Sequence, residues 1–306
     1  MDSQAMALMT AQGGVLAAAQ LRALGIPSGD VRGWVRHEEI VRVRRGAFVD
    51  AGAWAGANVD ERYRLRVMAV MRSREALEAA SHHSALALHR LPLWHVDREL
   101  VVVTADVEES TTTSGLRVTP LRRLVSATDV EGLSALCPAD AVVTAGSVCV
   151  EAGVVAGDAA IHEGRCSLDQ VRDSARRLGP TLRGRARLRR VLANLDGRAE
   201  SPGESRTRLV LTALGLPVES QVVVRDERGT VVARVDFMVL GRVVVEFDGA
   251  VKYAGDGGTA ALVAEKARED RLRALGYEVV RITWDELARP ELLLGRIRAA
   301  LARRAA

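Results

Sequence analysis

The sequence predicts a multidomain α/β chain of the α+β kind, and three observations carry that reading. At 306 residues it is longer than one core usually serves. Apolar spacing switches repeatedly between helical periods and short strand runs. The last third reads as αβββαβα around Val243-Val244-Val245, a continuously apolar strand of the sort buried on both faces. Hydrophobic residues make up 48% and charged residues 27%, which excludes wholesale disorder. The expected divisions are residues 1–55, 56–198 and 199–306.

The first division reads as three helices and a hairpin. Met1 to Ala11 is a helix ended by Gly13-Gly14, and Leu16 to Leu24 is a second, stopped by Gly25-Ile26-Pro27. Ser28 offers an N-cap to a third, Gly29 to Arg36, with Val31, Trp34 and Val35 as its buried face. Ile40–Val43 and Ala47–Val49 are short strands around the basic turn Arg44-Arg45-Gly46. That order is the order of a winged helix-turn-helix. Arg32 and Arg36 on the third helix, with Arg44 and Arg45 on the hairpin, are the candidate DNA contacts. Asp30, Glu38 and Glu39 offset this charge locally. Only ten aromatic residues are present, so stacking platforms for single strands are few and double-stranded DNA is the expected substrate.

The middle division alternates helix and strand. Glu61 to Ala80 reads as a helix, Glu99 to Thr104 and Leu116 to Val118 as strands, and Ser167 to Leu178 and Arg183 to Leu195 as closing helices. His82-His83 invites a metal reading, but adjacent histidines point to different sides of a helix, and a helix-opening role is favoured. The apolar stretch Cys137 to Gly157 is broken by Asp140 and Glu151 and does not span a bilayer as a plain helix. Three cysteines without a C-x-x-C pair argue against a disulfide framework or a structural zinc. No basic region precedes an apolar run at the start, so the expectation is a cytoplasmic protein without a membrane partner. The net charge of +4 is concentrated: residues 167–199 hold nine basic and three acidic side chains. Phosphate contact and a solvated helix face account for that stripe equally.

In the last division, Ser201-Pro202-Gly203-Glu204 starts a helix, and strands are expected at Gln221–Arg225, Val231–Val239 and Arg242–Phe247. Asp236, Glu246 and Asp248 stand out because carboxylates at the end of a buried strand are costly unless they meet a cation or donors. Register decides whether they share one. A two-residue turn, Leu240-Gly241, pairs Val239 with Arg242 and leaves Asp236 and Glu246 on opposite faces, whereas a three-residue loop, Leu240-Gly241-Arg242, pairs Val239 with Val243 and places Asp236 opposite Glu246, with Cβ atoms about 5 Å apart. That arrangement suits Mg²⁺ or Mn²⁺ between them. Glu204 is either the returning member of a capping box or an additional carboxylate at the site. The chain contains 41 arginines and only two lysines, Lys252 and Lys266, which are the candidate cations for an attacking water or a developing phosphorane charge.

Two resemblances follow from these residues. Ala19-Gln-Leu-Arg-Ala-Leu-Gly-Ile-Pro27 through Val41-Arg-Val-Arg-Arg-Gly46 resembles the winged-helix domain of AbiEi-type antitoxins, which implies DNA binding and operon repression. The glycine usual before the wing is replaced by His37-Glu38-Glu39. Ser81-His-His-Ser-Ala85 and Leu91-Pro-Leu93 look like the linker domain found behind such helices. Residues 199–306 resemble a very-short-patch-repair-type endonuclease domain of the PD-(D/E)XK superfamily, through Glu204, Asp236, Glu246-Phe-Asp248-Gly249, Asp270-Arg271, Gly276 and Arg281. The resemblance implies a restriction-endonuclease-like fold, with Asp236 and Glu246 as metal ligands and Glu204 assisting. Asp248 stands where that superfamily carries a lysine. The expectation is a metal-dependent DNA endonuclease with a regulator-like head, in defence or toxin–antitoxin biology. The alternative is an antitoxin-type regulator, with a cognate toxin as partner, whose nuclease fold only binds.

Overall fold

The computed structural model describes residues 1–74, 78–120, 125–249 and 258–303, which form a mixed α/β chain dividing into two compact units, Met1–Leu195 and Asp196–Ala306. The first unit opens with α1 (Ser3–Ala11), β1 (Val15–Ala17), α2 (Ala18–Ala23), α3 (Ser28–Arg36), β2 (Ile40–Arg44) and β3 (Ala47–Asp50). Asp2 Oδ1 starts α1 by accepting the N–H groups of Gln4 and Ala5 at 2.9 and 3.1 Å. The helix expected from Leu16 begins instead at Ala18. Val15-Leu16-Ala17 pairs antiparallel with Ala47–Val49 in a sheet ordered β1-β3-β2, and burial of all three residues there outweighs their helix propensity. Ala5, Met9, Leu16, Leu21, Ile40 and Phe48 form the core beneath α1–α3. Where a glycine was expected before the hairpin, Glu38 itself adopts a left-handed φ of 55°. The turn is therefore made at the cost of Cβ crowding that glycine would avoid.

The first unit continues with α4 (Ala51–Gly56), α5 (Val59–Arg72), β4 (Ala79–Ala80), α6 (His82–Leu88), β5 (Val101–Ala105), β6 (Thr111–Thr113), β7 (Leu116–Pro120), β8 (Ala127–Val130), β9 (Leu133–Leu136), α7 (Pro138–Val148), α8 (Val150–His162), α9 (Leu168–Leu178), a 3-10 turn (Gly179–Thr181) and α10 (Arg185–Asn194). The helix expected to reach Ala80 ends at Arg72. Ala79-Ala80 is instead a strand inside a six-stranded sheet, order β6-β7-β5-β4-β9-β8, antiparallel to β5 and parallel to β9. The hairpin β8–β9 escaped the sequence pattern because β8 is mostly exposed and carries no apolar alternation.

His82 does open α6, and its neighbour His83 stacks on Tyr63 with ring centroids 5.5 Å apart and donates to the Leu100 carbonyl at 3.0 Å. The apolar stretch from Cys137 becomes α7 and α8, broken at Cys149 and buried in the unit. No described helix is long and apolar enough to cross a membrane. Asp140, fully buried on α7, accepts from Ser126 N at 2.7 Å, from Ser174 Oγ at 2.6 Å and from Arg177, tying α7 to α9.

The second unit contains α11 (Pro202–Ala213), β10 (Val218–Arg225), β11 (Val231–Val239), β12 (Val243–Phe247), α12 (Gly258–Ala274), β13 (Glu278–Ile282), α13 (Trp284–Leu287) and α14 (Pro290–Arg303). The sheet runs β10-β11-β12-β13, antiparallel twice and then parallel. Val243 and Val245 pack with residues of α11 and α14, whereas Val244 packs with Leu272 of α12. The strand is therefore covered on both faces, as its uninterrupted apolar run requires.

Helices α7 and α8 cross at paired glycines: a Cβ on Gly153 would lie 2.5 Å from the Gly146 Cα. Gly153→Ala should therefore overpack the crossing and cost about 1–3 kcal/mol of stability. Thermal unfolding followed by circular dichroism measures this, and an unchanged midpoint would show that the helices can part freely.

Candidate functional site

The turn Leu240-Gly241-Arg242 is the three-residue connection: Val239 pairs with Val243 and Phe237 with Val245. One step further along this register, Asp236 stands opposite Glu246. The same counting extends across the sheet. Ser220 pairs with Phe237 and Val222 with Val235, so Gln221 lies opposite Asp236 on the other side, and Glu246 pairs with Arg281 on β13. Gln221, Asp236, Glu246 and Arg281 thus form one polar row crossing the four strands.

Each member is held differently. Asp236 is half-buried, and its Oδ2 accepts the Phe247 N–H at 2.9 Å. Burial pushes its carboxyl up to about 6, helped by the neighbouring Glu204 and Glu246 charges and opposed by the Phe247 N–H and Arg268. Glu246 is paired with Arg268, whose two terminal nitrogens approach its two oxygens at 2.8 Å. Arg281 pairs with Glu265 and Glu269, both on α12, the latter at 3.0 Å. A helical layer of alternating charge therefore lies over the row.

Glu204 takes part in the cap of α11. It closes the N-terminus of α11: its N–H donates to Ser201 Oγ at 3.2 Å, and Ser201 Oγ donates back to Oε1 at 2.8 Å. Oε2 accepts from Glu200 N at 2.9 Å and from Gln221 Nε2 at 2.7 Å. It is also close enough to Asp236 to raise that carboxyl. Gly203 lets this helix start sit against the sheet, since a Cβ there would lie 2.0 Å from the Phe247 ring.

The other candidates fall as follows. Asp248 is half-buried one residue past β12, its N–H donating to the Ile282 carbonyl at 2.8 Å. Lys266 is exposed, two residues from Arg268 and so about 200° round the helix from it. Lys252 lies outside the described residues. Among the described residues no group of three or more His, Cys, Asp or Glu side chains is arranged to hold a metal. What is present is a pair of hard oxygen donors, Glu246 paired with Arg268 and Asp236 accepting the Phe247 N–H, with Glu204 as a third carboxylate nearby.

Arg268 and Gln221 are the residues that sequence reasoning missed. Arg268 precedes Leu272, the buried anchor of α12, by four residues, so the i, i+4 rule puts it on the inward face. A search confined to lysine passes over it. Gln221 is obscured by a bulge between Val224 and Arg225 and by its own left-handed φ of 55°, which a strand pattern does not reveal.

In the first unit, α2, α3 and the β2–β3 hairpin enclose a cleft of about 600 Å³ with an apolar floor including Leu21, Val31 and Phe48. Arg22, Arg32, Arg42, Arg44 and Arg45 line it, and Arg36 does not. Arg44 also donates to the Ser114 carbonyl at 3.2 Å and Thr113 Oγ1 at 3.4 Å; its charged form is disfavoured by burial and by Arg74.

No family model matches the chain. It is 33% identical over 148 residues to two Mycobacterium tuberculosis proteins, "Uncharacterized protein MT2308" from strain CDC 1551 / Oshkosh and "Uncharacterized protein Rv2248" from strain ATCC 25618 / H37Rv. Each match covers 48% of this chain and 52% of the relative, so the chain spans about half the length of the curated relatives it matches.

The raised Asp236 carboxyl predicts a pH-dependent stability for the second unit. Its carboxyl would ionise near 3.8 when unfolded but near 6 when folded, so the folded state holds the proton over that interval. Stability contributed by the protonated carboxyl is present at low pH and is lost as pH rises through that window. Asp236→Asn should therefore melt at a higher temperature than the wild type above about pH 6.5, and the two should converge below about pH 4. Melting curves across pH measure it; a constant difference would contradict the raised carboxyl.

Proposed function

We propose that this chain is a metal-dependent DNA endonuclease-like protein, with a winged helix-turn-helix in its first residues and a restriction-endonuclease-like domain in its second unit. The observation that carries this reading is the register placing Asp236 opposite Glu246 on the two central strands of a sheet covered on both faces. Mg²⁺ or Mn²⁺ suits this donor set, because Mg²⁺ is commonly held by one or two carboxylates with water and phosphate oxygens completing the shell. When bound, the metal would activate water and offset charge on the scissile phosphate. Asp236 and Glu246 would hold it, and Glu204, fixed by Ser201, Glu200 N and Gln221, would add a third carboxylate beside Asp236. Asp248 lies next along the chain to receive a further water.

The arginine-lined cleft supports the DNA-binding part. Five guanidinium groups around one concavity between a helix and a hairpin suit the phosphates of double-stranded DNA. The defence or toxin–antitoxin setting, and a cognate toxin as partner, rest on the resemblance to AbiEi-type antitoxins. A second reading, a regulator whose nuclease fold only binds, is favoured by one observation: Glu246 is already neutralised by Arg268.

Plasmid nicking with Mg²⁺, Mn²⁺ or chelator separates the two. Asp236→Ala and Glu246→Gln should each abolish cleavage while leaving duplex affinity nearly intact. Nicking that persists equally in Asp236→Ala removes the nuclease reading. For the head, Arg32→Ala with Arg45→Ala should weaken duplex binding and flatten the salt slope by up to about two units. Fluorescence anisotropy over a salt series measures that slope; an unchanged one would place the DNA elsewhere.

A further inference from the structure

The superfamily pattern asks for a lysine two residues after Glu246, and Asp248 stands there. The positive charge nevertheless found at Glu246 comes from the helix above the sheet. Arg268 meets both oxygens of the carboxylate through both terminal nitrogens at 2.8 Å, and its NH1 also reaches the Arg234 carbonyl at 3.4 Å. Its side chain is 31% exposed and that of Glu246 13%, so the pair sits at the mouth of the site rather than deep within it.

We propose that Arg268 is both the gate and the phosphate-binding cation of this site: it occupies Glu246 until a divalent cation arrives, and is then released to the scissile phosphate. This rests on the nuclease reading above. Arg268 covers the two Glu246 oxygens that a cation held between Glu246 and Asp236 would need. A divalent ion entering there would compete with the guanidinium for those oxygens, and the displaced guanidinium would lie beside any phosphate brought to the ion. A planar guanidinium with parallel donors fits two phosphate oxygens as well as it fits two carboxylate oxygens. One residue thus serves two successive partners of the same geometry. Lys266 faces away and is not needed for this exchange.

Two measurements on the full chain test the assignment. Mn²⁺ binding, read by electron paramagnetic resonance of the free ion, should tighten about three- to tenfold in Arg268→Ala because the competitor is gone, equivalent to about 1 kcal/mol. Asp236→Asn should bind Mn²⁺ at least tenfold more weakly. Plasmid nicking by Arg268→Ala should fall about 10²–10³-fold, as for loss of one oxyanion donor, and added methylguanidinium should restore part of it. Arg268→Lys keeps the charge but loses the fork, and should lie between the two in both assays; it also serves if the alanine variant fails to fold. Arg271→Ala removes the same charge from the outer face of α12 and controls for general electrostatics.

Arg268→Ala that nicks at the wild-type rate, or that loses Mn²⁺ affinity together with activity, overturns the proposal. If the wild type shows no nicking dependent on Asp236, the nuclease reading fails on its own. The Mn²⁺ arm then still decides the gate: unchanged or weakened affinity in Arg268→Ala removes it.

Discussion

Two carboxylates facing each other across a sheet covered on both sides set the terms for the second unit. At about 5 Å and an effective dielectric near 20, two full negative charges repel by about 3 kcal/mol, a large share of a domain's stability. The protein does not leave that cost standing. Arg268 pairs with Glu246, and the Asp236 carboxyl is raised, chiefly by burial and further by the Glu204 and Glu246 charges. The pairing of Val239 with Val243 across the Leu240-Gly241-Arg242 turn fixes the positions of both groups. Close to the row, Arg281 balances the charges of Glu265 and Glu269, and Gln221 donates a hydrogen bond to Glu204.

Much of this was legible from residues alone, for a physical reason. Side chains on a strand alternate with a period of two, so the length of one turn determines which carboxylates face each other. A three-residue loop could be chosen from Leu240-Gly241-Arg242, and Asp236 then fell opposite Glu246. The order of helices and strands in residues 199–306 was readable for a similar reason, since long periodic segments dominate there. Only the short helix Trp284–Leu287 was absent from that reading. The first unit was less transparent. Val15-Leu16-Ala17 carries helix-compatible residues, and what draws it into a sheet is a partner some thirty residues away. Ala79-Ala80 is a strand for the same nonlocal reason, with neighbours on both sides that no local pattern announces. At the candidate site, the cation was missed because the fork of an arginine was not weighed against the point charge of a lysine.

The abundance of arginine also changes how the basic stripe at residues 167–199 should be understood. By sequence it is the most positive segment of the chain, yet much of its charge is already committed. Arg172 and Arg176 pair with Asp169 and Asp173, and Arg177 reaches the buried Asp140. Arg185 and Arg187 donate to the carbonyls of Pro180 and Ser147 at 2.8 and 3.2 Å. A guanidinium satisfies backbone oxygens that a helix end leaves over, as well as any carboxylate nearby. Net charge by segment therefore overstates the charge available to a polyanion. The cleft among α2, α3 and the hairpin collects less total charge, but gathers it on one concave surface.

Arg44 joins that cleft to the rest of its unit. It leaves the hairpin and grips Ser114 and Thr113 at the outer margin of the six-stranded sheet, about seventy positions further along the chain. The hairpin is seated by the burial of Ile40, Ala47, Phe48 and Val49, and Arg44 adds a tether from the cleft wall to the margin of the larger sheet. One guanidinium thus belongs to two surfaces at once, the lining of the cleft and the rim of β6.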